Sequence, residues 1–295
     1  MVDFIEDNKI KLLFASEMEE GNFGDLLSRY IVEKISGLEV SKYNYKNVGP
    51  HLDAIGSILD REEICAPTAV WGSGFLSPQT LLKIKLTKWR QFLRRKYGKP
   101  EVYAVRGKLT RNILLEAGIE CPEVYGDPGL LLPCFYKPVV KKKYKVGVVL
   151  HNHHRQFTNL FELDGVRLID INRKYDDIES FVDECAECEV VLSSSLHGLI
   201  IANAYRIPCV RLKIANHSIH VKPDREDFKF KDYLTGVNSY NTTEKDYSFF
   251  ELNRTSVNLI TKKEIDIILN NANCVEFELN LIKLLKAFPI AVKQG

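Results

Sequence analysis

The sequence lacks the segments that direct a chain into or across a membrane. Its first residues contain no basic stretch followed by an apolar one, and no apolar run approaches the roughly 20 residues that a bilayer-spanning helix needs. We therefore expect a cytoplasmic protein, whose only contact with the inner face of the membrane would be peripheral.

The sequence also lacks an excess of charge and an ordered set of cysteines. It has 41 basic and 39 acidic residues, a formal charge of +2, so the positive field of a general nucleic-acid binder is missing and no nucleic-acid partner is expected. Seven scattered cysteines favour reduced thiols over a disulfide framework. Cys185 and Cys188 close a predicted helix rather than open one, which argues against a thioredoxin-type redox pair.

A regular alternation of strand and helix patterns fills most of the chain. Strands are predicted at 9–15, 68–71, 101–105, 145–150, 167–171, 189–192 and 208–213, and helices at 26–36, 108–118, 177–187, 197–206 and between 261 and 288. Asp25, Asp176 and Thr261 are predicted to cap helices, and Gly37 to end one. The pattern predicts an α/β fold with two Rossmann-like doubly wound domains that face a cleft.

The chain divides into three predicted parts. The alternation stops between Pro133 and Lys145, so we place a first domain at 1–140 and a second at 141–240. The remaining residues, 241–295, are predicted to form a helical tail that packs on these domains.

The most informative segment joins the strand 189–192 to a helix that begins at His197, through the serines 193–195. Side chains at such a junction lie at the carboxyl edge of a strand and the positive end of a helix, where α/β proteins hold anions. Serine hydroxyls and backbone N–H groups suit a phosphate or carboxylate, and the imidazole can give or take a proton. The helix start lowers the histidine pKa, whereas a bound anion raises it. The alternative is a buried histidine that satisfies a backbone carbonyl.

Polar turns also follow the predicted strands of the first half. Arg106 ends an apolar strand, and its planar charged fork matches a carboxylate or phosphate. The turns 21–25 and 72–74 allow close backbone approach to a ligand, although neither has the spacing of a dinucleotide fingerprint or a P-loop. Because all of these turns follow parallel strands, we expect them at one sheet edge, together with the turn that contains Asp127. Taken alone, the turns 21–25 and 72–74 fit ordinary tight turns equally well, and the alternative for Arg106 is a surface arginine at a turn.

Two further segments carry clustered charge. The segment 151–155 holds three histidines and an arginine without a familiar zinc-ligand spacing, so anion or sugar contacts by His151 and Arg155 are expected and a metal site is not. The segment 83–99 has eight basic residues, no acidic one and an apolar stripe. Such a helix either lies on an anionic membrane face or is a solvated outer helix, and the sequence favours neither.

Six segments, in this order, resemble the polysaccharide pyruvyl transferase family. They are Asn22-Phe-Gly-Asp25, Trp71-Gly-Ser-Gly-Phe75, Val105-Arg-Gly-Lys-Leu-Thr110, Gly126-Asp-Pro-Gly-Leu-Leu-Leu132, Ser194-Ser-Leu-His-Gly-Leu199 and Lys229-Phe-Lys-Asp-Tyr-Leu234. The resemblance implies a two-domain fold similar to GT-B glycosyltransferases. It also implies transfer of the pyruvyl unit of phosphoenolpyruvate onto two hydroxyls of a sugar, which gives a cyclic ketal and phosphate. Members act in the assembly of capsules, exopolysaccharides and other cell-surface glycans.

The resemblance assigns expected roles to individual residues. Arg106 and His197 fall on positions that the family uses at its active site, and Ser195 stands where some members have an arginine that Arg155 or Arg211 would have to replace. We expect His197 to act as general acid, Arg106 and the helix start at 194–198 to hold the donor, and Asp127 or Asp25 to orient the acceptor. The other expected substrate contacts are Asn22, Gly72, Ser73, Gly74, His151, Arg155, Ser194, Ser195, Gly198 and Lys231.

The expected partners are phosphoenolpyruvate and a sugar acceptor, either free or lipid-linked, without a further cofactor. Two other functions stay open. A GT-B-like glycosyltransferase that uses a nucleotide sugar would have a similar fold and cleft. An inert relative would bind a glycan or a partner enzyme without turnover.

Overall fold

A computed structural model describes residues 3–44, 49–60, 68–78, 100–214, 223–237, 249–252, 259–274 and 281–290. The strands are β1 (Ile5–Glu6), β2 (Lys9–Leu12), β3 (Glu20–Asn22), β4 (Glu39–Lys42), β5 (His51–Asp53), β6 (Thr68–Trp71), β7 (Glu101–Ala104), β8 (Tyr144–Val149), β9 (Val166–Ile169), β10 (Asn172–Lys174), β11 (Cys188–Ser193), β12 (Cys209–Ile214) and β13 (Phe249–Leu252). The α-helices are α1 (Phe23–Ser36), α2 (Lys108–Glu116), α3 (Ile178–Ala186), α4 (Leu196–Ala204), α5 (Pro223–Val237), α6 (Lys262–Asn271) and α7 (Leu281–Lys286). Shorter 3₁₀ segments cover Pro128–Cys134, Asn152–Phe161 and Tyr175–Asp177.

Two parallel sheets form the framework. In the first, the order is β4-β2-β5-β6-β7, with the short β1 antiparallel to β2 and a parallel bridge from Val105 to Tyr125 at the far edge. In the second, the order is β9-β8-β11-β12-β13, and every pair is parallel. The predicted α/β class with parallel Rossmann-like sheets is confirmed. The GT-B-like arrangement of two domains and the three-part division stay predictions.

Each sheet has one point where the chain changes the direction in which strands are added. In the second sheet this point lies between β8 and β11, because β9 is added on one side of β8 and β11 on the other. Open α/β sheets bind ligands in the crevice beyond the carboxyl ends of such strands. The residues that follow β8 and β11 therefore lie where a ligand is expected.

Helix α1 joins the two halves of the molecule, the first of which contains the first parallel sheet and the second the other. Its ring stack between Phe23 and Phe181 of α3, with centroids 3.9 Å apart, brings one residue from each half into contact. Strand β3, just before α1, pairs antiparallel with β10 of the second half. The buried side chains of α1 belong to one apolar cluster that includes residues of both halves. Helix α1 is therefore buried on most of its circumference. The tail contacts the first sheet, since Trp71 of β6 donates its indole N–H to the carbonyl of Leu284 in α7.

Two predicted helix caps are wrong, and each has a physical reason. Asn22, not Asp25, caps α1, since the Asp25 carboxylate accepts a hydrogen bond from Ser16. Glu179 does not complete a capping box with Asp176, because its carboxylate accepts from the Tyr30 hydroxyl across the two halves at 2.6 Å.

Other local predictions agree with the structure. Gly37 ends α1 in the left-handed conformation, and Thr261 forms both hydrogen bonds of its capping box. Cys185 and Cys188 are free and buried, and burial raises the pKa of Cys188 to about 12. The basic segment 83–99 lies outside the described residues. Among the helices that the structure describes, none combines the length and apolar character needed to cross a bilayer.

Candidate active site

A buried serine shapes the turn that carries the candidate histidine. Ser193, the last residue of β11, donates a hydrogen bond to the Ser195 carbonyl and accepts one from the Ser195 N–H. Its hydroxyl also fills the space beside Gly198, where a Cβ would approach it to 2.3 Å. The turn places His197 in the first turn of α4. This helix begins at Leu196, one residue before the predicted start at His197. The backbone N–H groups and the positive end of α4 therefore lie at the carboxyl edge of the sheet.

The start of α1 lies against the same imidazole. A Cβ on Gly24 would lie 2.0 Å from Nδ1 of His197, so only glycine permits this approach. Asn22 holds the approach in place, since its side chain accepts the Gly24 N–H at 3.0 Å. Two helix N-termini, one from each half, thus meet at His197, and both favour negative charge nearby.

His197 is electrically neutral in this setting. Its Nε2 is buried and has no hydrogen-bond partner within the described part of the chain. Burial, followed by the positive charges of Lys229 and Arg106, lowers the pKa of His197 to about 3. The direction agrees with the sequence-based expectation of a depressed pKa, but the causes are burial and two cations on other elements rather than the helix start.

Arg106 enters the same region from the end of β7 and is buried, with 1% of its surface exposed. Its Nε donates to Asp232 at 3.0 Å, and its two terminal nitrogens donate to the Ser57 hydroxyl and the Phe75 carbonyl. The guanidinium packs on Gly74, where a Cβ would lie 2.7 Å from its central carbon. Three of its five N–H groups are therefore engaged by protein atoms, and its direction is fixed.

Asp127 presents an unpartnered carboxylate oxygen beside these groups. Its Oδ1 accepts the Gly129 N–H at 2.9 Å, whereas its buried Oδ2 has no partner among the residues described. Gly129 in turn lies against Leu27 of α1 and Ile200 of α4, each one helical turn beyond Gly24 and His197 respectively. Burial raises the pKa of Asp127 to about 6, against the opposing effects of the Gly129 N–H and Arg106.

The predicted glycine turn 72–74 positions this carboxylate and the arginine. Gly72 has φ +87, and a Cβ there would lie 2.3 Å from Pro128, so the end of β6 packs directly on the Asp127 turn. The Ser73 hydroxyl donates to the Gly56 carbonyl, and the Ser73 carbonyl accepts the Arg106 N–H. These residues support the site through their backbone and their small size.

The crevice between β8 and β11 holds His151 and Ser194. The Ser194 hydroxyl accepts the His151 N–H at 2.9 Å and lies 2.9 Å from Nδ1 of His154. Burial lowers the pKa of His151, and Lys229 and three neighbouring histidines, including His197, lower it further. His151 and His197 therefore belong to one electrostatic environment.

Four further residues from the sequence analysis have the following surroundings in the structure. Arg155 is half-exposed and forms an ion pair with Asp170 at 2.9 Å. Arg211 forms an ion pair with Asp227, and Lys231 is exposed on α5. Ser195 is buried, with its backbone at the N-cap position of α4.

Two site residues on α5, Lys229 and Asp232, were missed by sequence reasoning, which selected Lys231. Asp232 is buried against Arg106, and the charge of Lys229 acts on both His151 and His197. Their spacing of three residues places them on one face of a helix, whereas Lys231 is exposed. That spacing was the available signal. In the ranges that the structure covers, no group of three or more histidine, cysteine or carboxylate side chains could hold a metal ion.

Comparison with known proteins supports one family. The chain is 27% identical over 263 residues to an uncharacterized protein of Acanthamoeba polyphaga mimivirus, an alignment that covers 86% of this chain and 84% of the viral protein. The sequence profile of the polysaccharide pyruvyl transferase family matches residues 36–217, well over half of the chain. The match includes Arg106, Asp127 and His197, the three groups that the structure brings into one region. The chain therefore belongs to the polysaccharide pyruvyl transferase family.

Proposed function

We propose that this protein transfers the pyruvyl unit of phosphoenolpyruvate onto two hydroxyls of a sugar in a cell-surface polysaccharide or its lipid-linked precursor. The observation that carries the proposal is the meeting of His197 with the start of α1, beside Arg106 and Asp127. A small donor with a carboxylate and a phosphate needs concentrated positive potential and a proton-transferring group, and this region offers both.

Positive potential comes from four sources of different kinds. Two helix N-termini supply partial charges and N–H donors, and Arg106 and Lys229 supply full charges. Because Asp232 offsets much of the Arg106 charge, Lys229 is important for donor binding. Lys229 thereby takes the place of the arginine that some family members have at the position of Ser195.

His197 is the proton-transferring group. Before a donor binds, its pKa of about 3 keeps the imidazole neutral at physiological pH. A bound donor with several negative charges raises that pKa, so His197 becomes protonated when phosphoenolpyruvate binds and donates to the methylene carbon. Binding of the donor thus produces the protonated form of His197 that the reaction requires.

The acceptor side of the reaction requires two hydroxyl additions. Protonation of the methylene carbon gives an oxocarbenium-like centre, the first hydroxyl adds to it, the carbon–oxygen bond to phosphate breaks, and the second hydroxyl closes the ketal. One of the two released hydroxyl protons replaces the proton consumed at carbon, and the other leaves with phosphate. The open Oδ2 of Asp127 is suited to accept a hydrogen bond from an attacking hydroxyl.

The direct test incubates the purified protein with phosphoenolpyruvate and a panel of free and lipid-linked sugars. We expect release of phosphate that depends on both substrates, and a pyruvate adduct on one sugar by mass spectrometry. A parallel panel of nucleotide sugars tests the glycosyltransferase alternative through nucleotide release. Turnover of a nucleotide sugar, or binding of phosphoenolpyruvate without turnover of any acceptor, would contradict the proposal.

A further inference from the structure

Helix α2 begins without a capping side chain of its own. Its N-cap residue is Gly107, and the first turn would leave N–H groups unsatisfied. Two residues of α5 fill this role from outside: Asp232 accepts the Thr110 N–H at 2.8 Å, and the Thr235 hydroxyl accepts the Lys108 N–H at 3.0 Å. Helix α2 is thus capped by a helix more than 100 residues away along the chain.

Glycines permit this docking at the closest point. A Cβ on Gly107 would lie 1.7 Å from the Asp232 carbonyl oxygen, and a Cβ on Gly236 would lie 2.0 Å from the Arg106 carbonyl oxygen. The two backbones therefore touch. The contact fixes the height and rotation of α5 over the Arg106 turn.

The same carboxylate orients the active-site guanidinium through a closed ring of hydrogen bonds. Asp232 Oδ2 accepts from Arg106 Nε and from the Thr110 hydroxyl, that hydroxyl accepts from the Phe75 N–H, and the Phe75 carbonyl accepts from Arg106. Asp232 and Arg106 are both almost fully buried. In such a ring each member fixes its neighbours. An amide in place of the Asp232 carboxylate would bring an NH₂ group against the donors of Arg106 and Thr110.

We propose that Asp232 is a positioning residue of the site, which aims the Arg106 guanidinium and couples that aim to the docking of α5. The proposal rests on the proposed function for its kinetic part. Lys229 lies one helical turn before Asp232, so the same docking sets the place of the second cation. Asp232 acts through these groups and needs no contact with substrate.

The test compares Asp232→Asn with Thr235→Ala. Both changes affect the α2–α5 contact, but only the first affects the guanidinium. We expect Asp232→Asn to lower kcat/KM for phosphoenolpyruvate on the order of 100-fold, the effect of a small misplacement of a reacting partner. Thr235→Ala should stay within about threefold of wild type, since the cap alone is lost. Adding Asp232→Asn to Arg106→Ala should produce little further loss, because the two residues act as a unit.

A second measurement is independent of turnover. The ¹⁵N–¹H signal of Arg106 Nε, assigned by its absence in Arg106→Lys, should shift and exchange faster in Asp232→Asn but not in Thr235→Ala. An unchanged signal or an unchanged kcat/KM in Asp232→Asn would overturn the proposal, as would equal losses of activity in both variants. If the wild type transfers no pyruvyl unit, the proposed function fails, and the Nε signal still decides whether Asp232 holds Arg106.

Discussion

Gly24 at the start of α1 lies directly against the imidazole of His197 at the start of α4, so that a Cβ at Gly24 would be 2.0 Å from Nδ1. The first residue belongs to the half that contains Arg106 and Asp127, and the second to the half that contains Lys229. The contact links the two sets of groups at the imidazole itself. It gives the most direct test of whether their meeting produces activity.

We expect Gly24→Ala to lower kcat/KM by about 100-fold or more, because the imidazole must move to admit the methyl group. Steady-state kinetics with phosphoenolpyruvate measures the effect. The matched control is Gly49→Ala, since a Cβ at Gly49 would meet open space. Activity of Gly24→Ala near the wild-type level would contradict a working role for His197.

Replacement of His197 tests its role as the proton-transferring group. We expect His197→Ala to lower kcat by 10² to 10⁴ fold, the usual contribution of general acid–base catalysis. His153→Ala is the control, because His153 is an exposed imidazole in the neighbouring turn. Retention of more than about a tenth of the wild-type kcat in His197→Ala would exclude the acid role.

Replacement of the two lysines of α5 is expected to have effects of different size on donor binding. Lys229→Ala should raise the KM for phosphoenolpyruvate at least about tenfold, since each such charge contact with an anion is worth roughly 1.5 kcal/mol or more. Lys231→Ala should have a much smaller effect, because Lys231 is exposed. A larger effect of Lys231→Ala would instead support the residue that the sequence pattern had selected.

The raised pKa of Asp127 predicts a defined dependence of stability on pH. The unfolded carboxyl loses its proton near pH 3.8 and the folded one near pH 6, so deprotonation weakens the fold as pH rises between these values. Asp127→Asn removes this effect and keeps an acceptor for the Gly129 N–H. Its unfolding free energy relative to wild type should therefore rise across that window, by at most about 3 kcal/mol.

Urea unfolding at a series of pH values measures the difference. Asp176→Asn is the control, because Asp176 is exposed. A difference between Asp127→Asn and wild type that stays flat from pH 4 to pH 6 would show that the carboxyl is ordinary in the folded protein.

Local rules predicted most of the elements and selected three residues that the structure brings into one region. Strand and helix periodicity placed β6, β8, β11 and α4 to within one or two residues, because burial imposes that periodicity directly on the sequence. Strand-to-helix junctions also pointed to His197, Arg106 and Asp127. Capping failed at Asp25 and Asp176, because a side chain that is free to cap a helix is equally free to bond a distant partner.

By itself the sequence determined the parallel α/β framework, the family and the residue types at each junction, since all of these depend on patterns within one or two dozen neighbouring residues. Only the tertiary structure decided which groups meet. It packed Gly24 against His197 and paired Arg106 with Asp232. It also brought the charge of Lys229 near the histidines and left Oδ2 of Asp127 without a hydrogen-bond partner among the residues described. The contacts join residues that lie far apart along the chain, and their directions follow from how α1 packs on α3 and how α5 packs on the start of α2.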